Sequence, residues 1–154
     1  MLNSIGALLK IKKRPEISQL NYPEMKLTTA RLMLEVIRAD GYIGKIELIT
    51  MSEVLKREFK LTQNELNSLF NEIANKHLDE QAIEDITSTI CETWGNAKRV
   101  TLLENLWIVA LADQDIHDTE NNLVRKLASL LCLNEMQIFR SQENAKLRLG
   151  VEDF

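Results

Sequence analysis

The sequence predicts an all-α fold: a single-domain helical bundle with an internal duplication. Three observations lead to this prediction. In every strongly patterned segment, apolar residues recur at the spacing of an amphipathic helix. The 154 residues include only five glycines and two prolines, which leaves little turn chemistry for a β-sandwich or a β-barrel. A short acidic pattern occurs twice, beginning at positions 39 and 112, each time between two apolar segments.

The first half of the chain contains three predicted helices. Pro23 suits a first helical turn, and the helix that follows it is apolar on nearly every side. The second helix follows the first acidic segment. The third is opened by Thr62 and Glu65, which have the spacing of a capping box, and His77 is predicted to lie on its apolar face. The three helices are predicted at about residues 23–39, 45–59 and 62–77.

A linker helix and three further helices are predicted in the second half. Asp79 or Glu80 begins the linker helix, and Gly95 is placed to end it. Another nearly all-apolar helix then leads to the second acidic segment, and Asn134 and Gln137 resemble a capping box that opens the last helix. The predicted helices after the linker span about residues 97–112, 119–132 and 135–149.

These elements predict an N-terminal segment at residues 1–15 and one helical domain at residues 16–154, with repeats at about 23–77 and 96–149. A helix that is apolar on all sides belongs in the middle of a bundle. The two helices of this kind both end at an acidic segment. We therefore expect them to pack together at the centre, related by a pseudo-two-fold axis, and to bring the two acidic loops to the same region.

The N-terminal segment combines an apolar helical face with a basic flank from Lys12 to Arg14. It is too short to span a bilayer, and its charges lie on the wrong side for a secretory signal. Either it docks on the domain, or it contacts a membrane surface or a partner through residues 1–14, which is the hypothesis of a peripheral adaptor. The apolar residues are Leu2, Ile5, Leu8, Leu9 and Ile11.

Composition restricts the function classes further. The formal net charge is −4, which argues against a nucleic-acid binder because such a protein needs a clustered basic face. Cys91 and Cys132 are far apart in the sequence and lie on apolar helical stretches, so we expect both to be reduced core residues. A cytoplasmic location follows from that expectation.

The acidic loops contain the candidate site. Carboxylates are the ligands that hard cations such as Ca²⁺ and Mg²⁺ prefer, although the spacing here is not that of an EF-hand. A structural alternative is that Glu47 and Glu120 each close a capping box with the residue three positions earlier. The candidate metal ligands are Asp40, Glu47, Asp113, Asp115 and Glu120.

The pattern Ala-Asp-Gly-x-Ile-x-x-x-Glu at residues 39–47, with its second copy at 112–120, resembles the TerB, or tellurite-resistance protein B, family and the N-terminal domain of the DjlA chaperone. The resemblance covers about residues 25–149 and implies a bacterial, internally duplicated helical domain linked to tellurite or other stress resistance. It also implies a divalent-metal site at Asp40, Glu47, Asp113 and Glu120. The chain departs from the motif at Gln114, where glycine is usual.

The sequence thus predicts a binding module and not an enzyme. The expected ligand is a divalent cation, a protein partner, or both, and the oligomeric state stays open. The main alternative is the peripheral adaptor that acts through residues 1–14, with the acidic residues purely structural. A metal-dependent hydrolase that uses the carboxylates as ligands and base is a third hypothesis, although no nucleophile motif accompanies them.

Overall fold

The computed structural model describes residues 22–114 and 118–150, and within them the chain forms seven α-helices and no β-strand. This confirms the all-α fold class. The helices follow the predicted order of three, a linker and three more, while the internal duplication itself stays a prediction. The N-terminal segment lies outside the described residues. The helices are α1 (Tyr22–Arg38), α2 (Lys45–Phe59), α3 (Gln63–Ile73), α4 (Glu80–Thr93), α5 (Asn96–Ala110), α6 (Asp118–Leu130) and α7 (Glu135–Leu149).

Helix α5 lies at the centre of the bundle. Its second half is buried at every position from 105 to 110, and it packs against α1, α2, α6 and α7. Helix α1 is buried at every position from 32 to 37. Such helices lose contact with water on all sides, so they must lie between other helices. The predicted central packing of α1 against α5 is confirmed. Among the described residues, no helix has both the length and the apolar character that crossing a membrane requires.

Side-chain caps fix where three of the outer helices begin. The capping box of α3 is complete, because Glu65 N–H donates to Thr62 Oγ1 at 3.2 Å and Thr62 N–H donates to Glu65 Oε1 at 2.8 Å. Asn134 forms the same arrangement at the start of α7. Asp79 caps α4 by accepting from the N–H of residue 82. These three predicted helix starts are confirmed.

Helix α4 ends at Thr93, just before Gly95 as predicted, and Gly95 is also the N-cap of α5, with an extended backbone at φ −66° and ψ 163°. One predicted helix end was wrong. Helix α3 ends at Ile73, so His77 lies beyond it and its side chain is 74% exposed. The early end of α3 has a physical reason in Arg38 on α1. Its guanidinium donates to the carbonyls of residues 74 and 76, which therefore do not continue the helix.

The cysteines also differ from expectation. Cys91 on α4 and Cys132 just after α6 form a disulfide, with their Cα atoms 6.1 Å apart and no free cysteine left in the chain. Neither residue is a buried core thiol, since Cys91 is half-buried and Cys132 is exposed. The crosslink fastens the linker helix to the second half of the bundle. The reduced state that supported a cytoplasmic location is therefore not the state of this structure.

Removing the crosslink should lower stability under oxidising conditions. The bridge spans 41 residues, and closing a loop of that length in the unfolded chain corresponds to about 3–4 kcal/mol. We expect a Cys91→Ser, Cys132→Ser double variant to lose about that much free energy of unfolding in a urea titration. Dithiothreitol should destabilise the wild-type chain similarly and leave the double variant unchanged. Equal stability of both chains without reductant would contradict the bridge.

Candidate functional site

The first acidic loop, residues 39–44, joins α1 to α2 through a tight turn. Gly41 N–H donates to the carbonyl of Arg38 at 2.8 Å, and Gly41 adopts φ 81°, a left-handed conformation that glycine adopts without steric cost. Asp40 shapes the turn by accepting from the N–H of Tyr42 at 2.9 Å through Oδ1. The other carboxylate oxygen of Asp40 is not used by this bond.

The second acidic loop, residues 111–117, begins with the same turn. Gln114 N–H donates to the carbonyl of Leu111 at 2.9 Å, and Gln114 has φ 64°. Gln114 therefore takes the left-handed conformation of Gly41 at the matching motif position, at a steric cost of roughly 1 kcal/mol. The departure of the sequence from glycine does not change the course of the backbone there. Asp115 and His117 lie outside the described residues, so Asp115 stays a predicted ligand.

The two loops meet at a pair of buried glutamates. Glu47 lies in the first turn of α2 and is 2% exposed, while Glu120 lies in the first turn of α6 and is 1% exposed. The two carboxyl groups lie close enough for a hydrogen bond between them to raise the pKa of Glu120. Because α2 and α6 are far apart in the sequence, this contact exists only when the central helices bring the two loops together. The expectation that the acidic loops come to the same region is confirmed.

The electrostatics of the pair follow from burial and from like charges. Burial, the hydrogen bond with Glu47, and the negative charges of Glu47, Asp40 and Asp113 together raise the pKa of Glu120 to about 9. At neutral pH Glu120 therefore keeps its proton and donates it to Glu47. The pair shares one proton, because two carboxylates in contact away from water do not both ionise at ordinary pH.

The backbone leaves room for this carboxylate pair at Gly44. A Cβ atom on Gly44 would lie 2.5 Å from Glu47 Oε1, well inside van der Waals contact. The backbone of Gly44 is extended, with φ −77°, a conformation that any residue can adopt. A larger residue is therefore excluded at this position by the Glu47 carboxylate and not by the backbone. Apart from the neighbouring carboxyl group, no donor within the described residues bonds to Glu47 Oε2.

The capping-box alternative does not describe Glu47. Gly44 is the N-cap of α2 and has no side chain to cap the helix, and no hydrogen bond joins its N–H to Glu47 in the manner of Thr62 and Glu65. Glu47 is buried against Glu120 instead. A glutamate that only closed its own helix would keep its carboxylate at the surface, as the exposed Glu65 does.

Four of the five predicted site residues thus belong to one region: Asp40, Glu47, Asp113 and Glu120. The region is not a preformed metal site, because within residues 22–114 and 118–150 no three histidine, cysteine, aspartate or glutamate side chains are grouped so that they could hold an ion. The chemistry of the arrangement is that of a proton-sharing acid pair beside two more carboxylates.

One feature beside the site escaped the sequence analysis. Tyr42 and Ile43 in the first acidic loop, with Ile46 and Ile49 on α2, are large apolar side chains that are 44–68% exposed. The spacing of these residues along α2 could have predicted their exposure. Ile46 and Ile49 fall on the side of α2 opposite its buried residues Met51 and Val54, so packing of the core face leaves them without cover.

A family model described as tellurite resistance protein TerB matches residues 26–143 of the chain. The match contains both acidic loops, the five whole helices α2 to α6, and all but the first turn of α1 and the last turns of α7. No curated protein and no solved structure is significantly similar to the chain.

Substituting Gly44 should disturb the glutamate pair. We expect Gly44→Ala to cost about 1–3 kcal/mol of stability, as overpacking does, because the new Cβ displaces the Glu47 carboxylate. Gly95→Ala is the matched control, since Gly95 is also an extended N-cap and its Cβ would meet nothing within 4 Å. Urea titrations of both variants give the comparison. In an E47A background the two alanine substitutions should cost the same; a persisting difference would contradict the role of Glu47.

The protonated pair also predicts a pH dependence for the metal-free chain. The pKa of Glu120 is raised from 4.5 to about 9 on folding, so the folded chain holds a proton that the unfolded chain has lost between these values. The free energy of unfolding should therefore fall as pH rises through this window, by at most ~1.4 kcal/mol per pH unit for one proton. Glu120→Gln should flatten the slope while preserving the hydrogen bond to Glu47.

Urea titrations across that pH range, with a chelator present, measure the slope. Glu53→Gln serves as the control, because Glu53 is an exposed carboxylate on the opposite side of α2 from the core. The wild-type slope should persist in this variant. A wild-type stability that rises through the same window would contradict a shared proton.

Proposed function

Since the chain belongs to the family of tellurite resistance protein TerB, we propose that it is a binding module, not an enzyme, whose two acidic loops together hold a divalent cation, Ca²⁺ or Mg²⁺. The ligands would be Asp40 and Glu47 from the first half of the chain and Asp113 and Glu120 from the second. Asp115, between Asp113 and α6, would be an additional ligand. The function would lie in joining the two loops around one ion.

The observation that supports this proposal most strongly is the burial of Glu47 against Glu120. Removing a carboxylate from water costs several kcal/mol unless a counter-charge or a proton compensates it. In the structure the proton shared by the pair has that role. A divalent cation would replace that proton and bring twice its charge. Glu120 would then ionise, and each glutamate would contribute an oxygen ligand.

The outer carboxylates would complete the ligand set. Calcium takes six to eight oxygen ligands at about 2.3–2.6 Å, and magnesium takes six at about 2.0–2.1 Å, so waters and backbone carbonyls would fill the positions that side chains leave. Asp40 accepts from the N–H of Tyr42 through Oδ1 and would contribute a carboxylate oxygen to the ion. Because no ready-made group of three ligands exists in the described residues, binding would require Asp40 and Asp113 to rotate inward.

A protein partner is the second part of the proposal. The exposed apolar side chains at Tyr42, Ile43, Ile46 and Ile49 adjoin the acidic loops, and apolar side chains beside charged groups are typical of a surface that binds other proteins. An ion that fixes the first acidic loop would also fix Tyr42 and Ile43. A role in tellurite or other stress resistance stays an expectation from the resemblance.

Cation binding should be detectable by isothermal titration calorimetry of the chelator-treated chain with Ca²⁺, Mg²⁺ and Mn²⁺. Because the ion would displace the proton of Glu120, the measured heat at neutral pH should change with the ionisation enthalpy of the buffer, which reports proton release. Asp40→Asn with Asp113→Asn should weaken binding at least ten-fold, and Glu47→Gln with Glu120→Gln should abolish it.

The control is the removal of two exposed carboxylates from the linker helix by Glu84→Gln with Asp85→Asn. This variant lowers the negative charge by the same amount and should bind as the wild-type chain does. The proposal fails if none of the three cations binds, or if the control weakens binding as much as the Asp40 and Asp113 variant.

A further inference from the structure

The exposed apolar side chains beside the acidic loops form a continuous run along the chain, which we call the Tyr42–Ile49 patch: Tyr42, Ile43, Ile46 and Ile49. Ile46 and Ile49 are three positions apart and so lie on one side of α2, and they are 54% and 51% exposed. Tyr42 and Ile43 continue the patch into the first acidic loop. Large side chains grouped in this way favour a covering partner more than single exposed ones do.

The charges around the patch are acidic only at its loop end. Asp40 precedes the patch by two residues and is exposed, whereas the part on α2 has charges of both signs nearby, at Lys45, Glu53 and Arg57. Asp113 lies near enough to Glu120 for its charge to act there, so the second loop adds negative charge to the same region. An occupant that fits this surface would present apolar side chains to the patch and positive charges to the loops.

The chain itself contains one segment with this chemistry. Residues 1–14 contain Leu2, Ile5, Leu8, Leu9 and Ile11 at helical spacing, and their only charged side chains are Lys10, Lys12, Lys13 and Arg14. The segment thus carries a charge of +4. Because the whole chain has a net charge of −4, the remaining residues 15–154 carry −8. The segment and the domain attract each other over several ångströms at physiological salt.

The connecting chain is long enough for contact. Helix α1 begins at Tyr22 and ends at Arg38, immediately before the first acidic loop, so its 17 residues span about 25 Å. The seven residues 15–21 extend to roughly 23–25 Å, which allows them to run back along α1 to that loop. Followed from α1 toward the N-terminus, the chain reaches the basic stretch 10–14 directly after the connection, so this stretch would lie at the acidic loops. The apolar residues would then lie beyond them, over the patch.

We propose that residues 1–14 dock on the Tyr42–Ile49 patch of the same chain, with their basic end against the acidic loops. The docked segment covers the apolar surface and occupies the approach to the two loops. A partner that uses this surface must displace the segment first. The inference does not depend on cation binding, since it needs only the negative charge of the loops.

Two other surfaces compete with this assignment. Met136 and Phe139 on α7 are also exposed, at 57% and 58%, but they lie between Glu135 and Arg140, whose opposite charges give this surface no concentrated negative charge. A second copy of the domain would place one acidic region against another across a two-fold axis, which like charges oppose. The basic and apolar segment fits the Tyr42–Ile49 patch and the adjoining acidic loops better than either.

Paramagnetic relaxation enhancement tests the docking in the full chain with a chelator present. A nitroxide attached through Gly6→Cys labels one position, because Cys91 and Cys132 are joined to each other. The amide signals of Tyr42, Ile43, Ile46 and Ile49 should broaden strongly, and those of residues 136–139 should not. The broadening should weaken as salt rises, and it should be the same at low and high protein concentration because the contact is within one chain.

Ile46→Gln with Ile49→Gln should release the segment. Tryptic cleavage at Lys10 to Arg14 should then proceed at least ten-fold faster than in the wild-type chain. The matched control, Met136→Gln with Phe139→Gln, alters two side chains of similar exposure and should leave the cleavage rate unchanged. Broadening centred on residues 136–139, broadening lost on dilution, or equal cleavage of the wild-type chain and the Ile46 and Ile49 variant would each overturn the proposal.

Discussion

Two carboxylic acids, Glu47 and Glu120, lie against each other away from water, and this contact sets the requirements for the rest of the site. Burial and mutual repulsion both oppose the charged forms, so the pair keeps a proton that each side chain would lose alone. The surrounding protein must supply the energy for this arrangement through packing elsewhere. The acid pair therefore destabilises the fold locally, and the packing of the central helices offsets this destabilisation.

The central helices make the contact possible. Both α1 and α5 are buried on all sides and pack together, and each ends in the same left-handed turn, at Gly41 and at Gln114. The turns direct the chain into α2 and α6, whose first turns contain Glu47 and Glu120. A hydrophobic interface thus positions two polar groups that are distant in sequence. The strength of that interface decides whether the carboxylates stay in contact.

Much of this was predictable from the sequence, because the relevant signals are local. Apolar periodicity and the capping residues at Thr62, Asp79 and Asn134 gave the helices and their starts. The doubled acidic pattern, together with two helices apolar on every side, indicated that the loops would meet. The burial of Glu47 was not predictable from spacing, since glutamate three residues after an N-cap is equally typical of a capping box.

The features that the sequence analysis missed depend on distant parts of the chain. Cys91 and Cys132 are 41 residues apart, and two lone cysteines give no pattern from which pairing follows. The end of α3 depends on Arg38, which reaches it from α1. The exposure of Ile46 and Ile49 depends on which side of α2 the neighbouring helices cover. Local periodicity does not contain this information.

Carbon-13 NMR titration of the side-chain carboxyl of Glu120, in the metal-free chain, tests the contact between the two loops most directly. The titration midpoint should lie near 9, fall when Glu47 is replaced by glutamine, and fall less when Asp40 or Asp113 is replaced by asparagine. A midpoint near the ordinary value of 4.5, unaffected by these substitutions, would show that the acidic loops do not share one site.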